Sequence, residues 1–411
     1  MQNHWQNNGQ DGPGTNRKTE GNTFSVQRIT LNAFRCHHAL TLSMGPEPVV
    51  LTGRNGVGKT SILEALSLLA PGRGLRRARL DDLYLRTAER QAASWSVSAR
   101  LRCHGEVTDV GTGCDASTPG GHRRQLRVNG QSARAQTALA ELVSVLWLTP
   151  DMDRLFLDSA SARRRFLDRM IFSTDPSHSR RLNAYERAMQ ERMQLLRDGS
   201  TDTTWLSALE DGMATQGVAI AASRIDITEQ LTAVSRETDA FPDATIHAEG
   251  TVEAWLREQP ALAVEDRFRH ALYASRRADT ESGGASVGPH RSDMHVCHAA
   301  TGRPARLCST GEQKALLITL VLAGGRLHAK IRGFAPLILL DEVAAHLDQR
   351  HRAALFELVA GLAGQAWYAG TDRDVFAPMS ERAQFFTIGE SRAGLTSARD
   401  EYADLGEPSC P

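Results

Sequence analysis

The chain has 411 residues, 48 Lys or Arg against 48 Asp or Glu, and a 41% hydrophobic content. That length accommodates about two or three domains, the balanced charge says nothing for or against a polyanionic partner, and no run approaches the roughly 20 apolar residues of a membrane span. The six cysteines, Cys36, Cys103, Cys114, Cys297, Cys308 and Cys410, are scattered without a Cys-x-x-Cys, which fits a reducing cytoplasm better than a disulfide scaffold.

Met1–Asn22 is polar, rich in Asn, Gln and Gly, and lacks the apolar core of a secretory signal. It reads as a disordered tail or an overlong start. Phe24–Leu42 reads as one or two strands around a turn, and Pro48–Thr52 as a buried strand followed directly by a glycine-rich loop. Ser61–Leu69 has helical apolar spacing; Trp95–Leu101 and Gln125–Val128 read as strands of a small antiparallel lobe, with Asn129-Gly130 as a hairpin turn. Val143–Leu148 is a further buried strand, closed by Thr149-Pro150. Between Leu51 and Arg134 lie 14 Lys or Arg and 7 Asp or Glu, a locally basic lobe that either meets nucleic acid or simply concentrates surface arginines.

After Pro150 the texture changes. Ala160–Ile171, Ser179–Arg197 and Thr204–Arg236 read as helices, the last two long and about half polar, which suggests an extended helical arm without sustained heptads. From about Ser282 strand signals return. His295, Cys297 and His298 lie close together, but no second ligand pair has zinc spacing, so a strand with mixed faces is the reading there. Pro336–Leu340 is a second buried strand, Ala353–Ala363 a helix, Ala366–Ala369 a last strand, and the polar tail after Gly394 is read as disordered. The expected fold class is α/β. The boundaries are a tail at 1–22, a head part at 23–150, a helical arm at 151–281, a second head part at 282–393 and a tail at 394–411. The two head parts must meet to complete one site.

The chemistry lies in those two parts. Gly53-Arg54-Asn55-Gly56-Val57-Gly58-Lys59-Thr60 matches the P-loop pattern in full, with Ser61 following inside the helix. Its backbone N–H groups turn inward around phosphate, Lys59 reaches the β/γ-phosphates of ATP, and the Thr60 hydroxyl ligates Mg2+. Leu337–Leu340 runs into Asp341-Glu342, which reads as the partner motif: Asp341 holding Mg2+ through water, Glu342 orienting and deprotonating the attacking water. Arg76, Arg77 and Arg79 are candidates for DNA backbone contacts; the alternative is that one of them packs on the nucleotide or a dimer partner.

Ser309-Thr310-Gly311-Glu312-Gln313-Lys314 resembles the signature sequence of ABC ATPases, which implies that Ser309 and Gly311 meet the γ-phosphate of ATP bound on an opposite subunit. Asp348 matches that family's D-loop, and Thr371 stands where transport ATPases usually carry a histidine. Further blocks make the resemblance narrower. Asn32-Ala33-Phe34-Arg35, Gly72-Arg73-Gly74-Leu75-Arg76, Pro150-Asp151-Met152, Arg163-Arg164-Arg165-Phe166-Leu167-Asp168 and Gly288-Pro289-His290-Arg291-Ser292-Asp293 are similar to segments of the RecF family, over roughly Phe24–Gly389. Glu342 departs from the family, which often has a second Asp there. On the residues alone, His290 and Arg291 could equally form a turn or bind phosphate or DNA.

The resemblance implies an ABC-type P-loop ATPase head assembled from N- and C-terminal segments with an inserted helical arm. It further implies an ATP-dependent homodimer enclosing DNA, weak DNA-stimulated hydrolysis that resets it, RecO and RecR as partners, and RecA loading at single-strand/double-strand junctions in repair and the SOS response. A membrane-transporter ATPase would need a coupling-loop glutamine and the switch histidine, and an Smc-type chromosome organiser would need hundreds of coiled-coil residues.

Overall fold

The N-terminal hairpin of Ser25–Phe34 (β1) and His37–Ser43 (β2) begins a six-stranded antiparallel sheet that continues through Ser94–Cys103 (β4), Glu106–Asp115 (β5), Gln125–Val128 (β6) and Gln131–Ser132 (β7). The computed structural model describes residues 24–87, 91–103, 105–115, 124–133, 139, 142–199, 202–236, 240–390 and 396–400. The expected tail at 1–22 and most of that at 394–411 lie outside the described residues. Asn129 and Gly130 both take positive φ (48° and 78°) and Val128 pairs with Gln131, the two-residue turn that the Asn-Gly pair implied.

A second six-stranded sheet draws on both ends of the chain. Val49–Thr52 (β3) and Val145–Leu148 (β8) come from the N-terminal half. Leu337–Asp341 (β11), Ala366–Ala369 (β12), Gln384–Glu390 (β13) and Thr396–Asp400 (β14) come from the C-terminal half. The order is β14-β13-β3-β12-β11-β8, parallel except for β14. The central strands are short apolar runs because both faces of a parallel sheet are covered. Alternation sorts them: Val49, Leu51, Leu337, Leu339 and Trp367 pack with the first sheet and the helix Lys59–Ser67 (α1), while Val50, Ile338, Leu340 and Tyr368 pack into the opposite core. The segment after 394, expected to lack structure, supplies β14: the open edge of β13 offers unpaired backbone groups, and β14 pairs with it.

Between the two parts lie Ala160–Thr174 (α2), His178–Arg197 (α3), Thr203–Ser235 (α4), Ala244–Glu249 (β9), Thr251–Glu258 (α5), Ala261–Ala274 (α6) and Arg276–Ser282 (α7). This segment is not purely helical: β9 pairs antiparallel with Asp293–His298 (β10), which lies beyond the expected arm boundary. Nor do the helices extend freely. Tyr185 of α3, Met213 and Val218 of α4 and Phe268 of α6 share a core of their own. Helix α4 is 33 residues long, about 50 Å, and its last turns carry Ile227, Leu231 and Val234 into the main core beside Thr310–Arg332 (α8). Gln349–Ala360 (α9) covers the same face of the sheet.

Two blocks far apart in sequence, residues 163–168 and 288–293, meet in space. Arg163 forms a forked ion pair with Asp293 (Nε–Oδ1 and Nη2–Oδ2 both 2.7 Å), and Arg164 Nη1 donates to Ser292 O at 2.6 Å. Buried Asp168 accepts from both Nε and Nη2 of Arg224 at 2.9 Å and bonds His178 Nε2 at 3.0 Å. His290 is committed internally, Nδ1 to Tyr185 OH (2.8 Å) and Nε2 to Ala285 O (2.9 Å), so its ring is a joint rather than a phosphate ligand.

Burial alone would raise the Asp168 carboxyl, but Arg224 and His178 hold it below the ordinary Asp range. Its contribution to stability is therefore present above the ordinary Asp pKa and lost as pH falls through the lowered value. Asp168→Ala leaves a buried guanidinium without its counter-charge. It is expected to cost about 3–5 kcal/mol, seen as a lower urea midpoint at neutral pH, with the difference from wild type shrinking in acid.

Candidate functional site

The sequence places its phosphate-binding loop between β3 and α1, and the structure shows why glycine stands there. Gly53, Gly56 and Gly58 adopt φ of 140°, 86° and 101°. A Cβ on Gly53 would lie 2.4 Å from Ile388 O, and one on Gly58 would lie 2.5 Å from Cys36 Sγ and His37 Nε2. Gly56 faces open space. The loop therefore needs left-handed backbone at three points and close approach at two. Arg54, Asn55 and Gly56 are exposed at its crown, while Lys59 and Ser61 are buried behind it.

Lys59 Nζ donates to Gly53 O (2.7 Å) and Arg54 O (3.1 Å) and lies 4.0 Å from Glu342 Oε1. Burial pulls its ammonium below the ordinary lysine value, against the attraction of Glu342 and Asp341. Thr60 Oγ1 donates to Asp341 Oδ1 at 3.1 Å. Burial likewise raises the Asp341 carboxyl, the Thr60 hydrogen bond opposing it and the Glu342 charge adding to it. Glu342 sits at positive φ (53°), a strained conformation for a side chain of that size. The Thr371 hydroxyl stands between Glu342 Oε1 (3.2 Å) and Asn55 Oδ1 (2.9 Å) and, having one proton, serves one of them at a time.

These groups line a cleft of about 770 Å³, a volume suited to a cofactor-sized ligand. The donor set fits a nucleotide triphosphate with a divalent cation: inward backbone at a helix N-terminus, one buried ammonium, and a hydroxyl beside a carboxylate. The cleft also holds Arg35, Cys36 and Tyr84, to which the motif reading gave no place in the site, and Arg76, one of the three arginine candidates for which packing of one on the nucleotide was the alternative. Arg35 forks onto Glu64 at 2.7 and 2.8 Å, and Arg76 Nη1 lies 3.8 Å from the same carboxylate. Glu64 is fully buried in α1. The signal was a lone charge inside the apolar run Ile62-Leu63-Glu64-Ala65-Leu66, since a buried carboxylate requires a cation.

The three arginines after the P-loop helix separate. All are exposed, but only Arg76 lines the cleft. Arg77 takes positive φ (53°), and Arg79 precedes the short turn at Leu80–Asp82. Ser309, Gly311 and Asp348 do not join the cleft. Ser309 caps α8 in a reciprocal box: its Oγ accepts from Glu312 N (3.3 Å) and Glu312 Oε2 accepts from Ser309 N (2.7 Å). Both Ser309 and Gly311 face solvent. Asp348 caps α9, accepting from His351 N (2.9 Å) and Nδ1 (2.6 Å).

A glycine-cradled loop on a mixed sheet, an acidic pair two strands away and a capped, outward-facing signature helix define an ABC-type P-loop ATPase head. The model of the RecF/RecN/SMC N-terminal domain matches residues 25–387. A DNA replication and repair protein RecF of Mesorhizobium japonicum is 45% identical over 374 residues, 90% of this chain and 98% of that protein. The RecF of Brucella suis is 46% identical over 369 residues, 89% and 94% of the two chains. The chain belongs to the RecF family of that domain class. Among solved structures, the recombination mediator protein RecF-ATP in the RecFOR pathway superposes with a TM-score of 0.78 at 20% identity over 92% of this chain and 100% of that one. An Smc head domain of Pyrococcus furiosus bound to the C-terminal domain of ScpA reaches 0.52 at 14% identity, over 93% and 98%, and shares the fold.

Because its ionised form is disfavoured by burial, Asp341 costs the nucleotide-free protein stability at neutral pH; the raised carboxyl stabilises only below its own pKa. Asp341→Asn is expected to raise the melting temperature without nucleotide by a few degrees while removing magnesium-dependent stabilisation by ATP. Differential scanning calorimetry with and without ATP and magnesium reads both.

Proposed function

We propose that this protein is an ATP-dependent DNA-binding protein of recombinational repair, acting in the cytoplasm as an ATP-gated dimeric clamp at single-strand/double-strand junctions. With RecO and RecR as partners it assists RecA loading. Residues 23–150 and 282–393 act as the ATPase head and 151–281 as the arm. The observation that carries the reading is the Thr60–Asp341 contact at 3.1 Å in the mouth of the glycine loop, together with a signature motif that faces outward from its own cleft. One copy therefore lacks the γ-phosphate contacts that Ser309 and Gly311 would give, and a second copy supplies them.

In this reading the Gly53–Lys59 backbone and the Lys59 ammonium bind the phosphates of ATP. Thr60 and Asp341 would hold magnesium, which would supply neutralisation of the phosphate charge. Glu342 orients water and takes its proton, and Thr371 fixes the carboxylate that does so. Asp348, capping α9, sets the loop that follows the acidic pair against the partner copy. Turnover is weak and DNA-stimulated, and serves to reopen the clamp. Against an Smc-type organiser, α3 and α6 fold back on α4 to close a local core rather than continuing as a coiled coil.

ATP, and not ADP, is expected to drive dimerisation in gel filtration. Ser309→Arg keeps nucleotide binding and loses the dimer; a dimer that persists would remove the signature assignment. Glu342→Gln binds ATP, turns it over far more slowly and accumulates the dimer on DNA, whereas Lys59→Met loses binding altogether. For DNA, Arg77→Ala with Arg79→Ala is expected to weaken affinity alike for unrelated sequences. It also flattens log affinity against log salt by about 0.9 per lost contact. An unchanged slope in salt titrations would exclude phosphate contacts by this pair.

A further inference from the structure

One half-buried guanidinium joins the antiparallel sheet to the end of the P-loop helix, with no acidic partner among the described residues. Arg124, just before β6, donates through Nε to Thr112 Oγ1 (2.8 Å) and through Nη1 to Gly72 O (2.6 Å). Its Nη2 reaches Leu68 O and, at 3.5 Å, Ala70 O. Among the described residues no carboxylate lies within ion-pairing distance of it, and burial pulls its pKa down to about 10. A cation partly withdrawn from water needs its donors satisfied. Here the acceptors are the carbonyls left over at the C-terminal end of α1 and just past it, the negative end of the helix dipole.

Those carbonyls begin the loop that carries Arg76. From Leu68 the chain turns through Gly72 and Gly74, at φ of 107° and 70°, with Leu75 N anchored to Ser67 Oγ at 2.7 Å. It then presents Arg76 to Glu64 and to the cleft. Without Arg124, the carbonyls of Leu68, Ala70 and Gly72 would lose the donors that now draw them together. Lysine could not substitute: its ammonium is a point charge, whereas the planar fork of arginine spans acceptors on opposite sides.

We infer that Arg124 is a positioning residue for nucleotide binding, which fixes the Leu68–Leu75 turn so that Arg76 enters the cleft beside the P-loop. The inference rests on the reading that this cleft takes ATP. It gives the small antiparallel sheet a direct mechanical link to the nucleotide site, through backbone rather than through any side chain of the P-loop.

The test is the affinity of the full chain for a fluorescent ATP analogue, measured in wild type, Arg76→Ala, Arg124→Gln, Arg124→Lys and the combinations of each Arg124 variant with Arg76→Ala. Arg76→Ala and Arg124→Gln are each expected to weaken binding by roughly tenfold, the scale of one charge-assisted hydrogen bond. The double variant is expected to bind no worse than Arg76→Ala alone, because the first residue acts through the second. Arg124→Lys weakens binding in the same non-additive way despite keeping its charge, and carries the test if Arg124→Gln does not fold. Wild-type affinity in Arg124→Lys, or losses that multiply in the double variants, would overturn the inference. Lys59→Met binding as well as wild type would instead overturn the nucleotide reading of the cleft, whatever the arginine variants do.

Discussion

A hydroxyl and a carboxylate separated by 281 positions meet at 3.1 Å, and the architecture exists to make that contact. Thr60 is fixed by the loop that follows β3; Asp341 is fixed by the end of β11. The two strands come from opposite ends of the chain and are joined only through β12, whose register sets Ala369 against both Leu51 and Asp341. A one-residue slip in either ladder would turn Asp341 to the other face of the sheet and exchange its core partners. The alternation of apolar residues into two cores, one on each face, is what forbids the slip. Stability and site geometry are thus the same constraint seen twice.

Charges inside the protein mark joints rather than reserves of stability. Glu64, Asp168 and Arg192 are each buried and each is met by several groups from different elements. Arg192, for instance, bonds Glu210, Asp279 and the Leu272 carbonyl within 2.6–2.8 Å. Apolar replacements of matching shape would hold such contacts as well in energy, but they would not dictate which face of which helix meets which loop. The forked Arg163–Asp293 pair and the Asp168–Arg224 pair fix α2 to both α4 and the 288–293 turn, so the arm leaves the head at one angle.

Much of this was legible in the residues. Four-residue apolar runs bounded by turn residues gave β3, β11 and β12, because a strand covered on both faces has no need of polar alternation. The caps Ser159 and Asp202, which open α2 and α4 by accepting a backbone N–H, went unread, whereas Ser309 was singled out as the start of the helix that became α8. Strand β9 was missed since Ala-Thr-Ile-His-Ala-Glu carries only a faint period of two amid helical neighbours, and its partner β10 lies far along the chain. Strand β5 was missed because Gly111 and Gly113 depress strand propensity. At the site, the P-loop and acidic pair are local patterns and can be read; the Arg35–Glu64–Arg76 cluster is not, since its members converge only after α1 has packed. The same holds for the Arg163 and Gly288 blocks. Read singly, each resembles a surface feature, and only the fold shows that they are complementary halves.

Helix α4 belongs to two cores at once. Its first turns pack in the arm and its last turns beside the signature helix α8, with uninterrupted hydrogen bonding between. A rigid rod seated at one end works as a lever. Over about 50 Å, a tilt of only a few degrees beside α8 would displace its far end by several ångströms. Holding that far end in place therefore asks as much of the arm contacts and of the Arg163 and Asp168 pairs as of the seat beside α8.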